Sequence, residues 1–212
     1  MPFIVFEGLD GTGKSSLMSA LEGELSQRQR PTLRTREPGG TSLGDEIRQL
    51  ILRTGGEAPA PRTELLLYEA SRAQHVDSVI APALKKKIWV LCDRYTASSI
   101  AFQAGGRGIP VDRVEALNDF ATNGLTPDLT VLLDLTVGES RRRRQSRQGV
   151  QGTSADRIES ETDTFHEKVR QSFLQQAEKS WGNWLVLDAS NSPAVLLQDL
   201  LDELRRRQWL DT

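Results

Sequence analysis

The residues with the clearest chemistry are Gly8-Leu9-Asp10-Gly11-Thr12-Gly13-Lys14-Ser15, which fit the pattern G-x-x-x-x-G-K-[ST]. In such a run the glycines let the backbone curl so that its N–H groups point inward at an anion. A helix that follows adds the positive end of its dipole at the same point. Lys14 has the reach to touch the outer phosphates of a nucleotide, and the Ser15 hydroxyl can ligate magnesium. This meaning requires a strand before the run and a helix after it. The apolar segment Phe3-Ile4-Val5-Phe6 precedes it, and Leu17, Met18, Leu21 and Leu25 recur at helical spacing behind it. Together these residues imply a bound nucleoside triphosphate.

A second group, Asp93-Arg94-Tyr95, directly follows the apolar segment Ile88 to Cys92. A carboxylate at the carboxyl end of a neighbouring strand can orient magnesium or its water, and a guanidinium fork suits phosphate. Asp134, which closes the segment Leu129 to Leu133, rivals Asp93 for that role, and chain order does not separate them. Arg94 beside it favours Asp93, although an ion pair closing a strand would use the same two residues. A third group, Arg36-Glu37-Pro38-Gly39-Gly40, reads as a strand end and a turn, followed by a helix carrying Arg48.

These groups need elements to hold them. Strands are expected at the segment Phe3 to Phe6 and at Thr32 to Arg36, Ile88 to Cys92, Leu129 to Leu133 and Leu185 to Asp188. The last three are short, apolar and almost uncharged, as strands buried on both faces of a parallel sheet should be. Helical patterns lie between them at Leu43 to Arg53, Glu64 to Leu84, Val111 to Thr122, Ser160 to Ser180 and Pro193 to Gln208. Strict alternation of strand and helix implies a single α/β domain with a parallel sheet and right-handed crossovers. Thr54 to Pro61 and Gln148 to Ser154, rich in glycine, proline or small polar residues, are expected to be mobile.

Bulk properties narrow the function. The chain has 212 residues, 37% hydrophobic and 26% charged, with 27 basic against 29 acidic side chains and a net charge of -2. That balance argues against a nucleic-acid or membrane-surface partner. A single cysteine, Cys92, excludes an internal disulfide and suits a reducing compartment. No apolar stretch approaches the roughly 20 residues that span a bilayer, and the first residues lack the basic region of a signal peptide. A soluble cytoplasmic enzyme is the expectation.

In order and spacing, Gly8 to Ser15, Arg36 to Gly40, Asp93 to Tyr95, Gly105-Gly106-Arg107-Gly108, Pro127-Asp128-Leu129 and Asp156-Arg157-Ile158-Glu159 resemble the bacterial type of thymidylate kinase along essentially the whole chain. The resemblance implies a three-layer P-loop NTPase fold, with a five-stranded parallel sheet flanked by helices and a mobile lid at about 141–157. It implies transfer of the γ-phosphoryl group of ATP to dTMP with Mg2+, in a homodimer packed through helices. The run Gly8 to Ser16 would hold ATP, with Ser15 and Asp93 at the metal. Asp10 would lie near the acceptor's 3'-hydroxyl, Glu37 and Pro38 beside the acceptor, and Arg48 and Arg94 on its phosphate. Tyr68, where the family usually has phenylalanine, would stack on thymine. Arg72, one helical turn later, would bond a base carbonyl. Ser98 and Phe102 share a face, as do Ser99 and Gln103; the family uses Ser99 and Gln103 near the base and Phe102 against the ribose 2' position, which burial alone would also explain.

The cluster Arg141, Arg142, Arg143, Arg144 and Arg147 reads as a solvated helix face or, in the family, as the start of the lid. The animal and fungal type carries a basic residue in the phosphate loop where Gly11 stands here, so the resemblance moves the transition-state arginine to the lid. It assigns Arg147 and Arg157 to phosphates and Arg143 to the neighbourhood of adenine. Another small-molecule kinase would share the loop and lid. A GTPase switch would share the loop, but the Asn-Lys-x-Asp guanine motif does not occur.

Overall fold

The computed structural model describes residues 1–152, 154–180 and 182–210. Five strands, β1 (Phe3–Glu7), β2 (Thr32–Arg36), β3 (Trp89–Asp93), β4 (Leu129–Asp134) and β5 (Trp184–Asp188), form one all-parallel sheet in the order β2-β3-β1-β4-β5. Side chains alternate across β1: Ile4 and Phe6 enter one core, Phe3 and Val5 the other. On the first face, helix α1 (Lys14–Gln27) contributes Leu17, Met18, Leu21 and Leu25, and α9 (Pro193–Arg206) contributes Leu196, Leu200 and Leu204. The apolar stripe after the phosphate loop is therefore the face that docks α1 on the sheet. On the other face, Tyr95, Val76 and Ile80 cover β1 and β3. Phe165, Val169 and Phe173 of α8 (Asp163–Lys179) cover Leu132.

The three-layer P-loop NTPase fold is thus the fold found, with three local differences. Segment β5 is apolar, yet it is an edge strand with Val186 47% exposed, because only β4 pairs with it. The helical stretch from Glu64 to Leu84 consists of α3 (Pro61–His75), a wide π turn at Val76–Ile80 and α4 (Ala81–Lys85). The third difference concerns Gln148 to Ser154. Helix α7 (Val137–Gln151) runs through the first part of it and ends at Gly152 in the left-handed conformation, φ 64°. Thr153 lies outside the described residues.

The remaining helices frame the carboxyl ends of β1, β2 and β3. They are α2 (Ser42–Leu52), α5 (Thr96–Ser99), which continues as a second π segment, Ile100–Gly106, and α6 (Val111–Thr122). The glycines at 105 and 106 let this segment touch α8: a Cβ on Gly105 would stand 2.8 Å from Ser172 Cβ, and one on Gly106 2.5 Å from the Phe165 ring.

Candidate active site

Two cavities open at the carboxyl ends of the strands, where β1 lies between β3 and β4 and the chain connections diverge. The first, of about 560 Å3, is lined by Gly11, Gly13, Lys14, Ser15, Ser16 and Asp93, with Arg143, Arg147, Gln148 and Glu159 opposite. Gly8 and Gly13 take positive φ, 130° and 99°, which turns the chain from β1 into α1. A Cβ at Gly8 would strike Leu133 O at 2.5 Å. Leu9 is buried beneath the loop, and Thr12 Oγ1 donates to Leu9 O at 2.9 Å. Lys14 Nζ donates to Gly8 O at 3.1 Å and to Leu9 O at 3.0 Å. Burial and the Arg94 charge pull its pKa down.

Asp93 and Asp134 are no longer equivalent. Asp134 accepts two bonds from Arg170, at 2.7 and 2.8 Å, and does not line the phosphate-side cavity. Asp93 Oδ1 is buried without a hydrogen-bond partner among the described residues, and Asp93 lines the same cavity as Ser15. An orphaned carboxylate oxygen with a hydroxyl nearby fits a hard cation whose other ligands are phosphate oxygens and water.

The second cavity is lined by Asp10, Glu37, Pro38, Arg48, Leu52, Tyr68, Arg94, Ser98, Ser99, Phe102, Gln103, Asp156 and Ile158. Every acceptor-side residue expected from the sequence is in it except Arg72. That side chain is buried behind Ser99 and fully engaged: Glu37 Oε2 at 2.8 Å, Glu69 Oε1 at 2.7 Å, Ser99 Oγ at 2.9 Å, Asn118 Oδ1 at 2.7 Å and Tyr95 O at 3.0 Å. It braces Glu37 and Ser99. His75 Nδ1, 3.0 Å from Glu37 Oε1, adds a second brace. The π segment after α5 puts Ser98, Ser99, Phe102 and Gln103 on one wall. Tyr68 lines the same cavity, and burial pushes the pKa of its hydroxyl up.

Arg94 holds the left-handed conformation, φ 70°, in which a non-glycine residue is strained. Four contacts fix it there. Its amide donates to Phe6 O at 2.9 Å, Nη2 to Asp10 Oδ1 at 2.9 Å and Nη1 to Ser98 Oγ at 3.2 Å. The guanidinium carbon lies 5.0 Å from the Phe102 ring centroid. Arg48 Nη1 donates to Pro38 O at 3.1 Å, which leaves the rest of its fork toward the cavity.

Glu7 was not foreseen in the sequence. It is fully buried, and its carboxylate accepts from Tyr95 N at 2.9 Å, Ser98 N at 3.2 Å and Ser98 Oγ at 2.6 Å. It thereby anchors the start of α5. Burial pushes its pKa up to about 7, against the opposing pull of Arg94 and the Ser98 and Tyr95 bonds. A final glutamate in an apolar strand gave no signal of this.

The chain matches the family model for thymidylate kinase over residues 6–200. It is 65% identical to a curated thymidylate kinase of Bdellovibrio bacteriovorus, over 99% of this chain and 98% of that one. It is 46% identical to one of Synechococcus sp., covering 96% of each chain, and 41% identical to one of Trichlorobacter lovleyi, covering 97% of each. The chain belongs to the thymidylate kinase family.

Within this thymidylate kinase fold the arginine cluster is divided. Arg141 pairs with Asp163 at 2.6 Å and Arg142 with Glu139 at 2.8 Å on the surface. Arg143 donates to Glu139 and, at 3.0 Å, to Ala189 O, while Arg147 pairs with Glu159 at 3.0 Å; both line the phosphate-side cavity. Arg144 is buried against Gly11, with its Nη1 on Glu159 O at 2.7 Å. Arg157, expected on the phosphates, does not line the phosphate-side cavity. It donates to Ile51 O at 2.9 Å and to Glu64 Oε2 at 2.7 Å, on the acceptor side. No helix among the described residues is long and apolar enough to cross a membrane.

Proposed function

We propose that this chain transfers the γ-phosphoryl group of ATP to dTMP, yielding dTDP and ADP. The observation that carries this reading is the meeting of the two cavities at Asp10. One has the donors of a triphosphate site, and the other brings together two guanidinium groups, Arg48 and Arg94, two aromatic rings, Tyr68 and Phe102, and the polar side chains Ser99 and Gln103, the groups that a nucleoside monophosphate needs for its phosphate and its base. A phosphate oxygen of the acceptor attacks the γ-phosphorus as the bond to the β–γ bridging oxygen breaks, and ADP carries that electron pair away. Little covalent chemistry is asked of the protein. Arg94 and Arg48 hold the attacking oxygen in line, while Lys14 and a lid arginine, Arg147 by position, neutralise charge on the moving group. Ser15 and Asp93 would hold Mg2+, whose charge would offset that of the donor phosphates.

Stacking of thymine falls to Tyr68, ribose contact to Phe102, adenine contact to Arg143 and base recognition to Ser99 and Gln103. Arg72 serves this site from behind. Arg157 would reach phosphate only if a movement of the segment 141–157 released it from Glu64, so Arg147 is the stronger candidate in the closed geometry. We further infer a cytoplasmic homodimer. Leu43 and Leu50 of α2, Leu66 of α3 and Phe120 of α6 are exposed, Phe120 by 84%, on helices that pack side by side.

An acceptor screen with ATP and magnesium, with product identification, tests the reading. It is expected to give dTDP and ADP, with ATP consumption stimulated by dTMP. Slow hydrolysis indifferent to dTMP would overturn it.

A further inference from the structure

The Gln103 amide is gripped from behind. Its Nε2 donates to Glu64 Oε1 at 3.0 Å. Glu64, on α3 and buried, also accepts from Arg107 Nε at 3.2 Å, Arg107 Nη2 at 3.1 Å and Arg157 Nη2 at 2.7 Å. Arg107 is itself fixed, 2.6 Å from Glu161 and 4.6 Å over the Phe165 ring. Burial opposes ionisation of Glu64, but the bonds from Arg107 and Gln103 outweigh it and lower its pKa, so the carboxylate accepts and cannot donate.

A carboxamide beside such a group must turn its NH2 toward it, because the opposite rotation sets oxygen against oxygen. Gln103 therefore offers the cavity its Oε1, which accepts no bond among the described residues, with its second N–H alongside. Ser99 is biased in the same sense. Its hydroxyl donates to Glu69 Oε1 at 2.9 Å and accepts from Arg72 at 2.9 Å, so toward the cavity it has a lone pair and no proton.

We propose that Glu64 is the positioning residue for pyrimidine specificity, acting by holding the Gln103 amide in the one rotation whose carbonyl oxygen meets a ring N–H. A free carboxamide reads two bases. In one rotation its oxygen and N–H match the N3–H and adjacent carbonyl of thymine; in the other they match the N3 lone pair and 4-amino group of cytosine. Glu64 removes the second rotation. This inference rests on the dTMP reading above.

The test compares kcat/KM for dTMP and dCMP, with ATP and magnesium, in the wild-type protein and in Glu64→Gln, whose amide can donate as well as accept. The dTMP to dCMP ratio is expected to fall by about 10- to 100-fold, the usual value of one bidentate base contact. Equal losses on both substrates, with the ratio unmoved, would show a purely structural role and overturn the proposal. Should Glu64→Gln fail to fold, Glu64→Asp keeps the charge for Arg107 and Arg157 but withdraws the oxygen from Gln103, and carries the same expectation. In a Gln103→Leu background the Glu64 substitution should leave the ratio where Gln103→Leu put it, and a further shift there also counts against the proposal. A wild-type protein inert toward dTMP would sink the dTMP reading; an active one with an unmoved ratio sinks only the role of Glu64.

Discussion

Arg94 Nη2 lies 2.9 Å from Asp10 Oδ1, and Asp10 is the one described residue that lines both cavities. Burial opposes a charge on Asp10, but Arg94 and Lys14 outweigh it and hold its carboxyl below the usual carboxylate range. In the proposed mechanism this pair sets the clamp for the acceptor phosphate before the acceptor arrives, so little ordering would remain for the bound state. Arg94→Lys keeps the charge but loses the fork that reaches Asp10 and Ser98 together. It is expected to lower kcat/KM for dTMP by about 100-fold, with KM for ATP nearly unchanged. Equal effects on both substrates in steady-state kinetics would contradict a role confined to the acceptor side.

Lys14 and Arg147 should separate in kinetics. Lys14 lines the phosphate-side cavity with its ammonium on the loop carbonyls of Gly8 and Leu9, and the proposed mechanism gives it to the outer phosphates. Lys14→Ala is expected to reduce turnover by 100-fold or more, to background in a coupled ADP assay. Arg147 is 47% exposed and, among the described residues, pairs with Glu159 alone, and the proposed mechanism gives it to the moving phosphoryl group. Arg147→Ala is expected to lower kcat by about 10- to 100-fold while KM for dTMP stays within about twofold. A rise in KM alone would move Arg147 from the transition state to ground-state binding.

Glu7 makes stability depend on pH in a stated direction. Its folded pKa of about 7 stands above its ordinary value of 4.5. Between those values the folded chain keeps a proton that the unfolded chain has released. The stabilisation from this group is therefore complete below about pH 4.5 and lost as pH rises through 7. Urea unfolding of the wild type should lose up to about 1.4 kcal/mol per pH unit from this group across that interval. Glu7→Gln, which keeps an acceptor for the Tyr95 and Ser98 bonds, should remove that slope. Parallel profiles for the two proteins would rule the assignment out.

The central strands were readable because β1, β3 and β4 are buried on both faces and so are almost wholly apolar up to their acidic last residues. Asp10, Lys14, Ser15 and Arg94 could be placed at the carboxyl ends of the strands because a tight strand-to-helix turn restricts residue types at fixed spacings, and all four line the cavities there. The π turn at Ile100–Gly106 was not, since its glycines pack closely against Ser172 and Phe165, some sixty residues away in the chain, and local spacing carries no trace of that contact. Glu7 and Glu64 were hidden for a related reason: a single glutamate at a strand end or in a helix reads as solvated, and only the fold shows that each is buried under several donors. Arg72 shows the limit from the other side. It does lie on the same helix as Tyr68, but of its five bonds only that to Glu69 is local; Glu37, the Tyr95–Ser99 segment and Asn118 come from three other parts of the chain.

Gly11 joins the phosphate loop to the arginine-bearing helix. Its φ is 87°, and a Cβ there would lie 2.9 Å from Ser140 O and 3.2 Å from Arg144 Cγ, both on α7. Ser140 Oγ also donates to Asp10 O at 2.7 Å, so loop and helix are already in bonded contact. A side chain at position 11 must push away the element that carries Arg143 and Arg147. A basic residue in the loop and this close seating of α7 are therefore alternatives. Gly11→Ala is expected to cost about 1–3 kcal/mol in denaturant unfolding, from the left-handed backbone and the contact with Ser140 O. It should also lower kcat more than KM for dTMP, because the displaced α7 misplaces Arg147. Gly138→Ala is the control on the same helix: nothing lies within 4 Å of its Cβ and its φ is not positive. That change should be neutral or stabilising by about 0.5–1 kcal/mol, with normal turnover. If both substitutions behave alike, the close contact between the loop and α7 does not govern activity.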